Sequence, residues 1–216
     1  MLTKNATQTG DVVINGGAAL DVAKGASLLL ADNANINGTG TLRVDGNLGI
    51  NGTGVSSIAA NVILNGGINV NSGELQITGA VTGSTSGTTV TAGNIGVHSG
   101  ARLDLMSAVG TIGTGLEPVI NLSGGNASVA LFDAPAFNGV ISGFTHGDFI
   151  EITALASGVI TDSLDSTGKT LTISDSANHT FTIHFAQAQT VLPFGSTGSG
   201  IEVAVWPQGC LGIFHT

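Results

Sequence analysis

The sequence predicts an all-β fold: a right-handed parallel β-helix with a β-rich cap towards the C-terminal end. Three observations predict it. First, an aliphatic residue followed by Asn-Gly and then Gly or Thr recurs as Ile14-Asn15-Gly16-Gly17, Ile36-Asn37-Gly38-Thr39, Ile50-Asn51-Gly52-Thr53 and Leu64-Asn65-Gly66-Gly67, at spacings of 22, 14 and 14 residues. These are close to multiples of a unit of about seven residues, one short strand plus one corner, which must stack on its neighbours to bury an apolar face. Second, a Gly that opens a Leu-x-aliphatic strand recurs at Gly40-Thr41-Leu42-Arg43-Val44, Gly73-Glu74-Leu75-Gln76-Ile77, Gly100-Ala101-Arg102-Leu103-Asp104-Leu105 and Gly168-Lys169-Thr170-Leu171-Thr172-Ile173. Third, only 9% of residues are charged and 34 of 216 are Gly, against about 25% charged in average domains. The polar surface is therefore built from Asn, Ser, Thr and Gly, which suit strands and corners better than helices.

Residues 11–130 read as solenoid repeats. Alternation on a period of two marks Asp11-Val12-Val13-Ile14, Leu42-Arg43-Val44, Val62-Ile63-Leu64, Ile68-Asn69-Val70, Leu75-Gln76-Ile77 and Leu103-Asp104-Leu105 as short strands. In each Gly-led repeat the Leu points inward and the polar residue after it points to water. Three sides close a coil of about 21 residues, and about six coils at about 4.8 Å make a rod near 30 Å long. Asn at equivalent corners is expected to ladder its amides from coil to coil.

The expected organisation is repeats over 1–130, a β-rich capping module over 131–194, and a Gly/Ser/Thr linker with an unstructured or truncated tail over 195–216. Six of the eight Phe lie between Phe132 and Phe185. There, Leu171-Thr172-Ile173-Ser174 and Phe181-Thr182-Ile183-His184-Phe185 read as strands about a hairpin corner at Ser174–Asn178. A cap is expected because an open solenoid end exposes strand edges.

Composition excludes several classes of partner. The net charge is −9 and the five cations Lys4, Lys24, Arg43, Arg102 and Lys169 are scattered, whereas nucleic acid and anionic membrane surfaces require clustered cations. No apolar run reaches the length of a membrane-spanning helix, no export signal is visible, and the single Cys210 excludes an internal disulfide framework.

On these repeats, residues 11–130 resemble the strand-repeat passengers of bacterial surface proteins, of the autotransporter and haemagglutinin-like adhesin type. The segment Phe137-Asn138-Gly139-Val140-Ile141-Ser142-Gly143-Phe144, with Gly147-Asp148-Phe149-Ile150 and Leu171-Thr172-Ile173, is similar to a repeat of long secreted alphaproteobacterial proteins. In some of those a self-processing Hint domain follows, opening on a cysteine. Cys210 falls about where that cysteine would, but Leu211–Thr216 does not continue as that domain does. The resemblance therefore implies a secreted or cell-surface rod and carries over no processing activity.

No residue earns a catalytic, cofactor-binding or metal-ligating assignment. Asp148 and Glu151 are the nearest carboxylates of the second module, but a spacing of three along a strand turns them to opposite faces, while sugar hydrolysis needs two on one substrate. Asp148 reads as a turn-shaping residue and Glu151 as a solvated one. His179 and His184 likewise face apart, and zinc sites show richer spacing; His98 and His146 read as turn residues. Asp162, Asp165 and Asp175 lack both the glycine-rich calcium repeat and EF-hand spacing. Asn5-Ala6-Thr7, Asn37-Gly38-Thr39 and Asn121-Leu122-Ser123 match the glycosylation sequon only as often as such a composition makes expected.

The function read from these observations is a non-enzymatic structural and adhesive rod, extracellular or on the cell surface, without cofactors. Its expected partners are host or matrix glycans or proteins, with end-to-end self-association of open solenoid ends. Two alternatives stand beside it. A carbohydrate-active β-helix enzyme would gather acids and bases in one groove, and an ice-binding solenoid would repeat Thr-x-Thr at coil spacing.

Overall fold

The computed structural model describes residues 1–31, 33–111, 113–153, 161–175, 179–190, 194–196 and 201–204. Strands take up 52% of these residues and helix 2%, arranged as a parallel β-solenoid of about seven turns, so the predicted fold class is the observed one.

The chain climbs level by level, most levels giving one strand to each of three sheets. Level one holds β1 (Ala6–Gln8), β2 (Val12–Val13) and β3 (Ala19–Val22); level two, β4 (Ser27–Ala31), β5 (Ile36–Asn37) and β6 (Thr41–Val44). Level three holds β7 (Asn47–Asn51), β8 (Val55–Ile58) and β9 (Asn61–Leu64); level four, β10 (Gly67–Val70), β11 (Glu74–Ile77) and β12 (Val81–Thr82). A hairpin, β13 (Ser84–Ser86) with β14 (Thr89–Thr91), then leaves the coil. Level five has β15 (Asn94–His98) and β16 (Arg102–Leu105), level six β17 (Val119–Ser123) and β18 (Ser128–Leu131), and level seven β19 (Val140–Ser142) and β20 (Phe149–Ile152). Above β12 the third sheet thins to single bridges through Val109 and Phe137.

The register sets the coil length. Ala6 pairs with Leu28, Leu28 with Leu48, Leu48 with Ile68, Ile68 with Ile95, Ile95 with Ile120, and Ile120 with Ile141, giving turns of 22, 20, 20, 27, 25 and 21 residues. The longest turn is the one that carries the hairpin.

Inward positions stack into apolar columns. Leu28, Leu48, Ile68, Ile95, Ile120 and Ile141 form one, and Leu30, Ile50, Val70, Val97 and Leu122 the next; all are buried. The Leu of each Gly-led repeat (Leu42, Leu75, Leu103 and Leu171) is 0% exposed, as the alternation required. Removing such columns from water supplies most of the fold's stability, at about 25 cal/mol per Å² of apolar surface.

The four Asn-Gly copies occupy three different corners. Ile14 and Ile36 lie one coil apart at the second-to-third corner, Asn51 at the first-to-second, and Asn65 at the third-to-first. A step of 14 is two-thirds of a turn, so it moves the motif to another edge. The ladders therefore join unlike motifs: Asn71 Nδ2 donates to Asn51 Oδ1 (2.8 Å), Asn65 Nδ2 to Asp45 Oδ1 (2.7 Å) and Ser84 Oγ to Asn65 Oδ1 (2.9 Å). Close stacking demands glycine at the third-to-first corner, where a Cβ on Gly66 would strike the Gly46 carbonyl oxygen one level below, and at the second-to-third, where one on Gly79 would strike the Ala60 carbonyl oxygen.

Above level seven the strand direction reverses. β21 (Thr161–Leu164), β22 (Thr170–Ser174) and β23 (Thr180–Phe185) extend the first sheet: β23 runs parallel to β19, then β22 and β21 add antiparallel. β24 (Phe194–Ser196) and β25 (Ile201–Ala204) extend the second, β25 pairing antiparallel with β20. These strands cover the edge that the last level would otherwise expose. The aromatic enrichment belongs to this end: Phe137, Phe144, Phe181 and Phe185 are buried, and Phe144 stacks on Phe185 at 5.7 Å between ring centroids. The hairpin corner expected at Ser174–Asn178 is framed by β22 and β23, and residues 176–178 lie outside the described residues.

Candidate functional site: three outer faces

Because inner positions are committed to packing, chemistry can reside only on the outward positions, and the three faces differ.

The first sheet's outer face is uncharged. Its outward rows run Ser27, Asn47, Gly67, Asn94, Val119, Val140 and His184, and Thr7, Leu29, Gly49, Asn69, Gly96, Asn121 and Ser142. Asn and Gly alternate both along and across levels three to five. A Cβ on Gly67 would meet the amide oxygens of Asn47 at 3.1 Å and Asn94 at 3.2 Å, and one on Gly96 that of Asn69 at 3.1 Å. The amides therefore lie flat over the neighbouring glycines. Past level seven the face continues in hydroxyls: Thr172 stands opposite both Thr182 and Ser163, and Ser174 opposite Thr180, with Ser174 Oγ 2.8 Å from Thr180 Oγ1. Thr-x-Thr in register thus occurs on β22 and β23, whereas levels three to five carry Asn and Gly. Among the described residues no outward position on these ten strands is Asp, Glu, Lys or Arg. At about 4.8 Å per strand the face is about 43 Å long.

The second sheet's outer face is ionic. Glu74 lies beside Arg102, and Gln76 beside Asp104, Ala130 and Glu151 in turn. Arg102 Nη2 donates to Glu151 Oε2 at 2.8 Å, bridging two levels. Arg102 Nε stands 2.6 Å from Asp104 Oδ1, yet off the N–H direction, so that buried oxygen has no hydrogen bond. Burial pushes the Asp104 carboxyl up to about 6; the Arg102 charge opposes this and the neighbouring Glu74 adds to it. An open depression of about 260 Å³ adjoins the cluster, lined by Thr53, Gly54, Val55, Gly73, Glu74, Gly100 and Arg102.

The third face carries a cavity of about 320 Å³ at its corner with the first sheet, lined by Lys24, Arg43, Asp45, Asn65, Ser84, Ser86 and Thr91.

The residues singled out from sequence fall as follows. Asp148 is fully buried just ahead of β20, its Oδ1 accepting the Ala127 N–H (2.9 Å) and its Oδ2 the Thr145 N–H (2.9 Å) and hydroxyl (3.1 Å). It ties a turn to the level below. Glu151 points outward but is engaged by Arg102 rather than freely solvated. His179 Nδ1 lies 2.9 Å from Asp175 Oδ2, His98 Nδ1 lies 3.3 Å from Ser123 Oγ, His146 is exposed in a turn, and His184 belongs to the first face. Asp165 closes the β21–β22 turn; the Thr170 N–H, the Thr167 hydroxyl and the Lys169 N–H hold it below the usual carboxylate range. Asp162 sits on β21 opposite Ile173. Among the described residues no group of three His, Cys, Asp or Glu is placed to hold a metal ion. Of the sequons, Asn5 Oδ1 accepts the Ser27 N–H, Asn37 Nδ2 donates to Asp11, and Asn121 is exposed on the first face. Cys210 lies outside the described residues. No helix among the described residues is long and apolar enough to cross a membrane.

Sequence reasoning missed the ionic cluster, although its signal was present. Aligning the Glu74 and Arg102 copies of the Gly-led repeat sets Glu74 beside Arg102 and Gln76 beside Asp104. Glu151 required the register across two further levels.

No family model and no curated protein sequence matches the chain.

Proposed function

We propose that the chain is a structural and adhesive solenoid, working outside the cell or at its surface, which presents the first-sheet face to an uncharged, hydroxyl-rich partner such as a neutral glycan. The observation that supports this reading is the absence of formal charge from that face in a chain of net charge −9. Amides and hydroxyls each donate and accept hydrogen bonds, as sugar hydroxyls do, and a flat grid offers many weak contacts to an extended chain. The resemblance of residues 11–130 to surface-adhesin repeats agrees with it. The test is binding of the purified chain to an array of glycans and matrix proteins, with and without calcium. A selective signal on neutral glycans, lost on Asn69→Asp, supports the reading. A blank array from a folded sample overturns it.

A second reading rests on one observation, the Glu74–Arg102–Asp104 cluster beside an open depression. An acid held near pH 6 next to a second carboxylate suits general acid–base chemistry on a saccharide. Turnover of a polysaccharide that disappears in both Asp104→Asn and Glu74→Gln would establish it.

A further inference from the structure

We propose that the cavity beneath the β13–β14 hairpin is a binding site for a carboxylate-bearing saccharide, separate from the first-sheet face and independent of its role. The hairpin is an insertion in the longest turn, the 27 residues between Ile68 and Ile95, where the two turns before it take 20 each. Insertions in a solenoid project from one face, and they are where such folds often place binding.

The cavity walls are ordered by a chain of hydrogen bonds. Arg43 Nε donates to Asp45 Oδ2 at 2.9 Å, Asn65 Nδ2 to Asp45 Oδ1 at 2.7 Å, and Ser84 Oγ to Asn65 Oδ1 at 2.9 Å. Burial works against the Asp45 charge, but the Asn65 and Arg43 hydrogen bonds outweigh it and hold the carboxyl below its usual range. Asp45 is thus spent on positioning Arg43. The Arg43 Nη groups, the Lys24 Nζ and the hydroxyls of Ser86 and Thr91 make no side-chain hydrogen bond among the described residues.

Two of the chain's five cations, Lys24 and Arg43, line this cavity with one acid, Asp45, while Asp21 stands beside Arg43 on the neighbouring strand outside the lining. The Arg43 guanidinium, whose Nη groups Asp45 leaves open, matches a planar carboxylate. All seven lining residues are polar or charged. A sugar ring finds two hydroxyl partners beside the cations. The volume of about 320 Å³ lies at the lower end of ligand cavities, about 300–1,000 Å³. With no aromatic wall, binding rests on charge and hydrogen bonds and is salt-sensitive.

The test is calorimetric titration of the full chain with a short oligogalacturonate, its methyl ester and a sulfated disaccharide, at low and high salt. The site predicts binding of the free acid, loss with the methyl ester, weakening in high salt, and a drop of about tenfold or more in Lys24→Met and Arg43→Met. Asn69→Asp, on the first-sheet face, leaves this binding unchanged, which separates the site from the neutral-glycan surface. No binding of the free acid by the folded chain, equal binding of the ester, preference for the sulfated sugar, or unchanged affinity in both cation variants would each overturn the proposal.

Discussion

The first and second sheets share a backbone pitch and an aliphatic interior, yet their outer faces are opposites. One is a tiled layer of amides, hydroxyls and glycines without charge; the other gathers Glu74, Arg102, Asp104 and Glu151 around one guanidinium. The difference teaches that in a solenoid the coil constrains only the inward half of each strand. The outward half is free to diverge sheet by sheet, and there the chemistry must be sought.

The sharpest way to break this division is to move from an outer position to its inner neighbour. Ile68→Ala, in the middle of a buried column, is expected to cost about 2–5 kcal/mol, while Asn69→Ala beside it costs under about 1 kcal/mol; urea denaturation of the two variants measures both. Equal costs would mean that the amide layer helps to hold the fold. Asp148→Ala comes next, because it strips the acceptor from the buried Ala127 N–H and from the Thr145 N–H in an exposed turn. About 1–3 kcal/mol is expected for the buried Ala127 N–H left without a partner.

The ionic face carries a pH signature. Burial pushes the Asp104 carboxyl up to about 6 in the folded chain, against an ordinary value of about 3.9. Between these values the native state keeps a proton that the unfolded chain has released, so Asp104 makes stability fall as pH rises from about 4 to about 6. Denaturation midpoints for the wild type and Asp104→Asn across that window should show a steeper decline in the wild type. Parallel profiles would remove Asp104 as the source. The smallest effect is expected at Gly67→Ala, whose added methyl meets only the movable amide ends of Asn47 and Asn94; a cost under about 1 kcal/mol, read by the same denaturation, fits the tiling.

The fold was legible because inward positions repeat on a period of two and must be apolar at every level. Leu42, Leu75 and Leu103 announced their strands before any neighbour was known. Corner equivalence was less legible: Asn-Gly fits any tight corner, so identical motifs at Asn37, Asn51 and Asn65 came to lie on three different edges. The turns of 27 and 25 residues broke the period, since a hairpin inserted at Ser84–Thr91 leaves the stacking intact while shifting the numbering. The faces were least legible. The ionic cluster joins residues 28, 30 and 49 positions apart in sequence through the register alone, and an absence of charge on one face becomes visible only when ten strands are laid side by side.

The most direct test of the account places the same charge on each face in turn. Binding of the full chain to a neutral polysaccharide is compared for the wild type, Asn69→Asp on the first sheet and Ser128→Asp on the second, with folding checked by circular dichroism. The account predicts that Asn69→Asp loses binding while Ser128→Asp keeps it. Equal behaviour of the two variants, or no binding by the wild type, would contradict it.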